Sequence, residues 1–199
     1  MAPLRRGVPL LVWTLLLATA GGPGARLASA APGGADPSRR PKGTDLRLHK
    51  AVKAGAAAEV EELLDAGADI EALPFEMYSA PALHFAVLKG HRDLVRLLLD
   101  RGAFVDATEL RHGSTALHVA AARGEYDIAL HLLSRGADAN ARNKERGHTP
   151  LHEAARGGFP EVVTLLLDAG ADRQSVDHLG DATALHVAAR AGNIEAFAS

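Results

Sequence analysis

Cysteine is absent from the chain, and that absence excludes a good deal of chemistry. Disulfides, thiolate nucleophiles and cysteine-ligated zinc all fall away. In an oxidising compartment no covalent staple could form, so packing must hold the fold. Aromatic residues make up only 4% of the 199 residues, with a single tryptophan. A core must therefore be assembled from Leu, Val, Ile and Ala, which favours thin layers over one thick globular interior. A surplus of one charge is also missing: 22 basic residues face 24 acidic ones, a net charge of −2. A domain that binds nucleic acid should be clearly basic, so nucleic acid is not the expected partner. No apolar run reaches the roughly 20 residues of a membrane-spanning helix.

The chain opens with Arg5 and Arg6, an uncharged apolar run over residues 8–20 (VPLLVWTLLLATA), and small residues ending in Ala28-Ser29-Ala30. A basic start, a short apolar run and an A-x-A site predict a secretory signal over residues 1–30, cleaved after Ala30. Gly21-Gly22-Pro23-Gly24 breaks the run before it could anchor in a bilayer. Cleavage removes Arg5, Arg6 and Arg26 and no acid, which takes the net charge to −5. Residues 31–43 (APGGADPSRRPKG) read as a disordered linker. The protein is thus expected to be exported, periplasmic or secreted, with no membrane span once the signal is gone.

Beyond residue 43 the chain repeats itself. Leu-His pairs fall at Leu48-His49, Leu83-His84, Leu117-His118, Leu151-His152 and Leu185-His186, so successive histidines are 35, 34, 34 and 34 residues apart. Two residues after each His stands Ala51, Ala86, Ala120, Ala154 or Ala188, and six after it Gly55, Gly90, Gly124, Gly158 or Gly192. A second glycine followed by Ala closes four units at Gly67, Gly102, Gly136 and Gly170. A fixed period of this length is the signature of a stacked array, in which each unit buries its apolar face only against its neighbours. Thr149 suits an N-cap and Pro150 the first helical position, with Thr115 and Thr183 in the equivalent place. Val162, Leu165 and Leu166 follow the i, i+3, i+4 spacing of one apolar helical face.

Thr149-Pro150-Leu151-His152-Glu153-Ala154-Ala155 and Leu165-Leu166-Leu167-Asp168-Ala169-Gly170-Ala171-Asp172 resemble the ankyrin repeat. The resemblance covers residues 44–199 and implies an all-α, ankyrin-repeat solenoid. Each repeat would supply a helix–turn–helix and a finger loop, in four full repeats (44–78, 79–112, 113–146, 147–180) and a truncated fifth (181–199). Repeat 2 departs from the pattern, with Pro81 where repeats 3 to 5 have Thr and Phe104 where others have Asp. The fifth repeat stops short of its Leu-Leu stretch, so its last half is expected to fray and to leave Leu165 and Leu166 under-covered. The function implied is a non-catalytic protein–protein interaction scaffold acting outside the cytoplasm, as a monomer. Two alternatives remain open: a regulatory or targeting module of a larger protein, or a secreted effector or inhibitor.

No catalytic residue, cofactor or metal is expected. The five repeat histidines stand one per layer, too far apart to share a metal with bonds of about 2 Å. His112, His148 and His178 fall in successive fingers, read as exposed and without a complete ligand set. Ser114 near His118 lacks any implied oxyanion pocket. Candidate binding residues fall in two groups. Lys53, Lys89, Arg123, Arg156 and Arg190 end the inner helices, where the resemblance places a concave groove; they form either a stripe for a partner with an acidic surface or ordinary cations at helix C-termini. Phe75 and Tyr78, with Arg142, Lys144 and Arg146, lie in the fingers, where they either touch a partner or are simply solvated loop.

Overall fold

Threonine, proline and glycine punctuation sets the helix limits, and the apolar spacing decides which faces meet. The computed structural model describes residues 43–73, 80–180 and 182–197. The signal with Ala30, the linker up to residue 42, and Phe75 and Tyr78 lie outside the described residues. Among the described residues the helices come in pairs. They are α1 (Gly43–Ala54) with α2 (Ala57–Asp65), α3 (Ala82–Leu88) with α4 (Arg92–Asp100) and α5 (Ala116–Arg123) with α6 (Tyr126–Ser134). Then follow α7 (Pro150–Gly157) with α8 (Pro160–Asp168), and α9 (Ala184–Ala191) with a single 3-10 turn, Ile194–Phe197. The odd-numbered inner helices stack in series, as do the outer helices α4, α6 and α8. The architecture is an all-α repeat solenoid; pairing among the described residues is limited to isolated bridges, Thr108 with Thr115 and Val176 with Thr183.

The repeat positions explain the stacking. Leu83, Leu117 and Leu151 of the inner helices are at most 1% exposed. On the outer helices the i, i+4 pairs Leu94 and Leu98, Ile128 and Leu132, Val162 and Leu166 are equally enclosed. The alanines at His+2 have no bulk beyond Cβ, so successive inner helices approach closely, and all five are buried. Gly124 ends α5 at φ 70°, a left-handed conformation that side chains resist. It also has to be small: a Cβ there would meet the Phe159 ring of the next repeat at 2.5 Å.

The repeat histidine does two jobs at once. In repeats 3, 4 and 5 the ring Nδ1 accepts the N-cap threonine N–H (Thr115 to His118 and Thr149 to His152 at 3.2 Å, Thr183 to His186 at 3.3 Å). The threonine side chain in turn accepts the histidine backbone N–H, closing a reciprocal capping box. Because a backbone N–H can only donate, the proton must sit on Nε2. That Nε2–H reaches into the next repeat: His84 donates to Ser114 O at 2.9 Å, His118 to His148 O at 3.0 Å and His152 to Ala182 O at 3.2 Å.

The C-terminal end corrects one expectation. Leu166 is fully buried and Leu165 half-buried, because the 3-10 turn packs on α8 and α9 and brings Ala196 and Phe197 against the core. Exposure begins one layer later, at Leu185, which is 49% exposed where its counterparts are enclosed.

Repeat 2 lacks the threonine, and the consequence is visible. Pro81 caps α3 without a side-chain hydrogen bond, and His84 Nδ1 is buried with no partner. A regained cap contributes about 0.5–2 kcal/mol and a buried orphan acceptor costs about 1–3, against about 0.4–1 lost with the stiffness of proline. Pro81→Thr is therefore expected to stabilise the protein by about 1 kcal/mol, read as a rise in the urea midpoint at constant m. A lowered midpoint would show that His84 is satisfied in another way.

Candidate functional site

Three fingers, over 102–115, 136–149 and, residue 181 apart, 170–183, connect the outer helices α4, α6 and α8 to the next inner ones. Each closes with one backbone bond: Glu109 N–H to Ser114 O at 3.0 Å, Asn143 N–H to His148 O at 2.9 Å, Asp177 N–H to Ala182 O at 3.0 Å. The same three side chains quiet the N–H groups of the turn. Glu109 accepts from Arg111 and His112, Asn143 Oδ1 from Arg146 and His148, and Asp177 Oδ1 from Leu179. Adjacent fingers are then tied together, Lys144 N–H donating to His112 O and His178 N–H to Arg146 O, both at 2.7 Å. Gly147, at φ 70°, leaves room for the His178 ring where a Cβ would collide. The fingers thus form a fixed wall facing the ends of the inner helices.

Between that wall and the helices run two clefts of about 380 and 510 Å³. The first is lined by Leu88, Val119 and Arg123 among others, the second by Leu179, Val187 and Arg190; Glu145, Arg146 and Arg156 belong to both. The two clefts adjoin at these shared residues, and together they are the groove of repeats 3 to 5.

The five-cation stripe is not uniform. Lys53 is half-buried with its Nζ 4.4 Å from the centre of the Phe85 ring, a cation–π contact. Lys89 is exposed but does not line the groove; its neighbour Leu88 does. Arg123 and Arg190 are exposed, line the groove and make no ion pair among the described residues. Arg156 is engaged: its Nη2 lies 2.5 Å from Glu153 Oε2. Of the finger cations, Arg142 donates to Val176 O in the next finger, Lys144 is exposed, and Arg146 lies 3.8 Å from Glu145.

Two fingers overturn the exposed reading. His148 is buried, stacks on His152 with ring centres 5.1 Å apart, and holds Glu153 Oε1 at 3.2 Å through Nδ1. His112 is half-exposed between two carboxylates, 3.6 Å from Glu109 and 3.5 Å from Glu145. Among the described residues no group of His, Asp and Glu could hold a metal ion. Sequence reasoning passed over Glu153, whose side chain is only 10% exposed. The signal was there: an acid stands at His+1, where repeats 2, 3 and 5 have Phe85, Val119 and Val187. Arg156 therefore serves the fold as well as the groove, because losing it strands a buried carboxylate.

Burial would raise the Glu153 carboxyl, but the His148 hydrogen bond and the Arg156 charge outweigh it and hold the group below its usual range. Burial likewise lowers the His84, His118 and His152 rings, more than their bonds to backbone carbonyls raise them.

Comparison with known proteins gives two matches. The family model described as ankyrin repeats (3 copies) matches residues 48–143 and 130–198. A fowlpox virus (strain NVSL) protein, ankyrin repeat protein FPV240, is 40% identical over 62 residues, 31% of this chain and 15% of that protein. The chain thus matches a small part of its relative's length. Among the described residues no helix is long and apolar enough to cross a membrane.

These shifts set a pH dependence. The unfolded chain takes up protons on its histidines near 6.5, whereas the buried rings resist until the pH is lower, so U binds more protons than N in that window. Stability is expected to be full above pH 6.5 and to fall as pH drops below it. A second loss follows below 4.5, when the unfolded carboxyl protonates ahead of Glu153. Urea unfolding from pH 8 to 3.5 reads both; a flat profile between 7 and 5 would contradict the neutral histidine ladder.

Proposed function

Because the chain belongs to the ankyrin repeat family, we propose that it is a non-catalytic scaffold that binds an acidic protein segment in the groove of repeats 3 to 5. Ankyrin repeats are protein–protein interaction modules, and the fold leaves open which partner is held. The observation that carries the reading is an imbalance of pairing. Arg123 and Arg190 line the groove exposed and without a carboxylate partner among the described residues. Each acid of the groove is already engaged: Glu153 by His148 and Arg156, Glu145 by His112 and Arg146, and Asp177 by the finger N–H it caps. The exposed Leu88 and Leu179 beside the cations supply apolar contact area. Rigid walls keep the ordering cost of binding low.

The test uses a partner captured by the processed protein. Arg123→Ala combined with Arg190→Ala should weaken its binding about tenfold or more and leave the thermal midpoint within a degree or two, since exposed helix-end cations contribute only about 0.3–1 kcal/mol each. Association should slow as salt rises, because exposed charges are screened beyond about 8 Å at physiological ionic strength. Unchanged affinity in the double variant would remove the groove from consideration.

The proposal extends to place. The basic, apolar and Ala28-Ser29-Ala30 succession supports export, and the scaffold then acts outside the cytoplasm, periplasmic or secreted. N-terminal sequencing of the native protein should begin at Ala31. A start at Met1 or Ala2 would refute export without touching the groove.

A further inference from the structure

The groove carries information about the spacing of its ligand's charges. The argument rests on the groove being the binding surface. Its three helix-end cations belong to successive layers, Arg123 on α5, Arg156 on α7 and Arg190 on α9. The outer two make no ion pair among the described residues, while the middle one is neutralised from below by Glu153. The Glu145 carboxylate also lines both clefts around it. A ligand carboxylate is therefore attracted at the first and third layers, and at the second it meets a cation already paired with Glu153, beside the Glu145 carboxylate.

Packed helices lie about 8–10 Å apart, so Arg123 and Arg190, two layers apart, are separated by roughly 16–20 Å. A polyproline II segment advances about 3.1 Å per residue and returns the same face every three residues, so six residues span roughly 19 Å in register with the layers. A β-strand six residues on spans roughly 20 Å, but at the intermediate third residue it presents the opposite face. An α-helix rises about 1.5 Å per residue with a pitch of about 5.4 Å, so it needs about twelve residues for the same span and its facing side drifts from one layer to the next.

We propose that the groove of repeats 3 to 5 recognises an extended, polyproline II-like acidic segment with two carboxylates six residues apart and an uncharged polar residue midway. Arg123 and Arg190 take the two carboxylates. The middle residue passes over the Arg156–Glu153 pair, and apolar residues flanking the motif meet Leu88 at one end and Leu179 at the other. Because the charge pattern is symmetric, it fits in either chain direction.

Three synthetic peptides of identical composition test this: Leu-Glu-Pro-Pro-Gln-Pro-Pro-Glu-Leu and its isomers with the two Glu three residues apart, at either end. Fluorescence anisotropy on the intact chain should show the first binding about tenfold more tightly than both isomers, with the advantage lost in Arg123→Gln. Replacing its Gln by a third Glu should give no gain, despite the added charge. Equal binding of all three isomers, all weakened by Arg123→Gln, would overturn the spacing and leave the groove as a general acidic site. Equal binding untouched by Arg123→Gln would overturn the spacing and the groove together. No binding of any peptide, with a captured partner still sensitive to Arg123→Ala and Arg190→Ala, would refute the extended acidic motif alone. A preference for a helical peptide with acids twelve residues apart would replace the extended ligand by a helical one.

Discussion

One carbonyl per repeat holds two elements in place. Ser114 O, His148 O and Ala182 O each accept the N–H that closes their own finger and the Nε2–H of the histidine one repeat earlier. A carbonyl has two lone pairs, and here both are used, one within the finger and one across the repeat boundary. The finger cannot open without loosening the histidine, and His118 and His152 cannot turn without also uncapping their own helices through Nδ1. Finger, inner helix and neighbouring repeat are therefore set by one small group of atoms. This explains how a chain without cysteine and with few aromatics keeps a groove rigid. The layers are thin and their apolar contacts nearly featureless, so directional bonds must fix their register.

The groove inherits its charge pattern from that frame. The carbonyl of His148 serves the ladder, while its ring packs on His152 and holds Glu153, which in turn fixes Arg156. Repeat 4 thus carries a compensated trio where repeats 3 and 5 present guanidinium groups with no ion pair among the described residues. An acid enclosed this well is tolerated only because two partners reach it. The same trio removes one cation from the surface and leaves its two neighbours isolated from each other. Discrimination between ligands then comes from one neutralised position as much as from two attractive ones.

The fold was legible because its determinants are local. Capping threonines, the glycines that end helices and the leucines of each layer act within a few residues of where they are written. The site was legible only in outline. The cations of the inner helices and fingers could be enumerated, but their state depends on neighbours 3 to 34 residues away: Lys53 on Phe85, Arg156 on Glu153, Arg142 on Val176. His148 reads as a finger residue, but its position is enclosed in neighbouring repeats too, as Ala80 and Ala182 show, and the acid five positions later gives its buried ring a partner. Both substitutions stand out against their counterparts in the other repeats, Ala80, Ser114 and Ala182 for the histidine and Phe85, Val119 and Val187 for the acid. A pairwise comparison of repeats would have joined them. Position-by-position reading treats each as an isolated oddity.

The ladder also has a direction: His84, His118 and His152 each reach forward through Nε2, 30 residues along the chain. Excising residues 113–146 would therefore present His148 O to His84 in the place of Ser114 O, and the seam would close on itself. Excising a few residues more or fewer would bring a different carbonyl under the ring and shift the finger against the wall. Changes of length are thus tolerated in whole units of 34 residues and resisted in fractions of one. The groove can be lengthened or shortened by a layer, but it cannot be stretched.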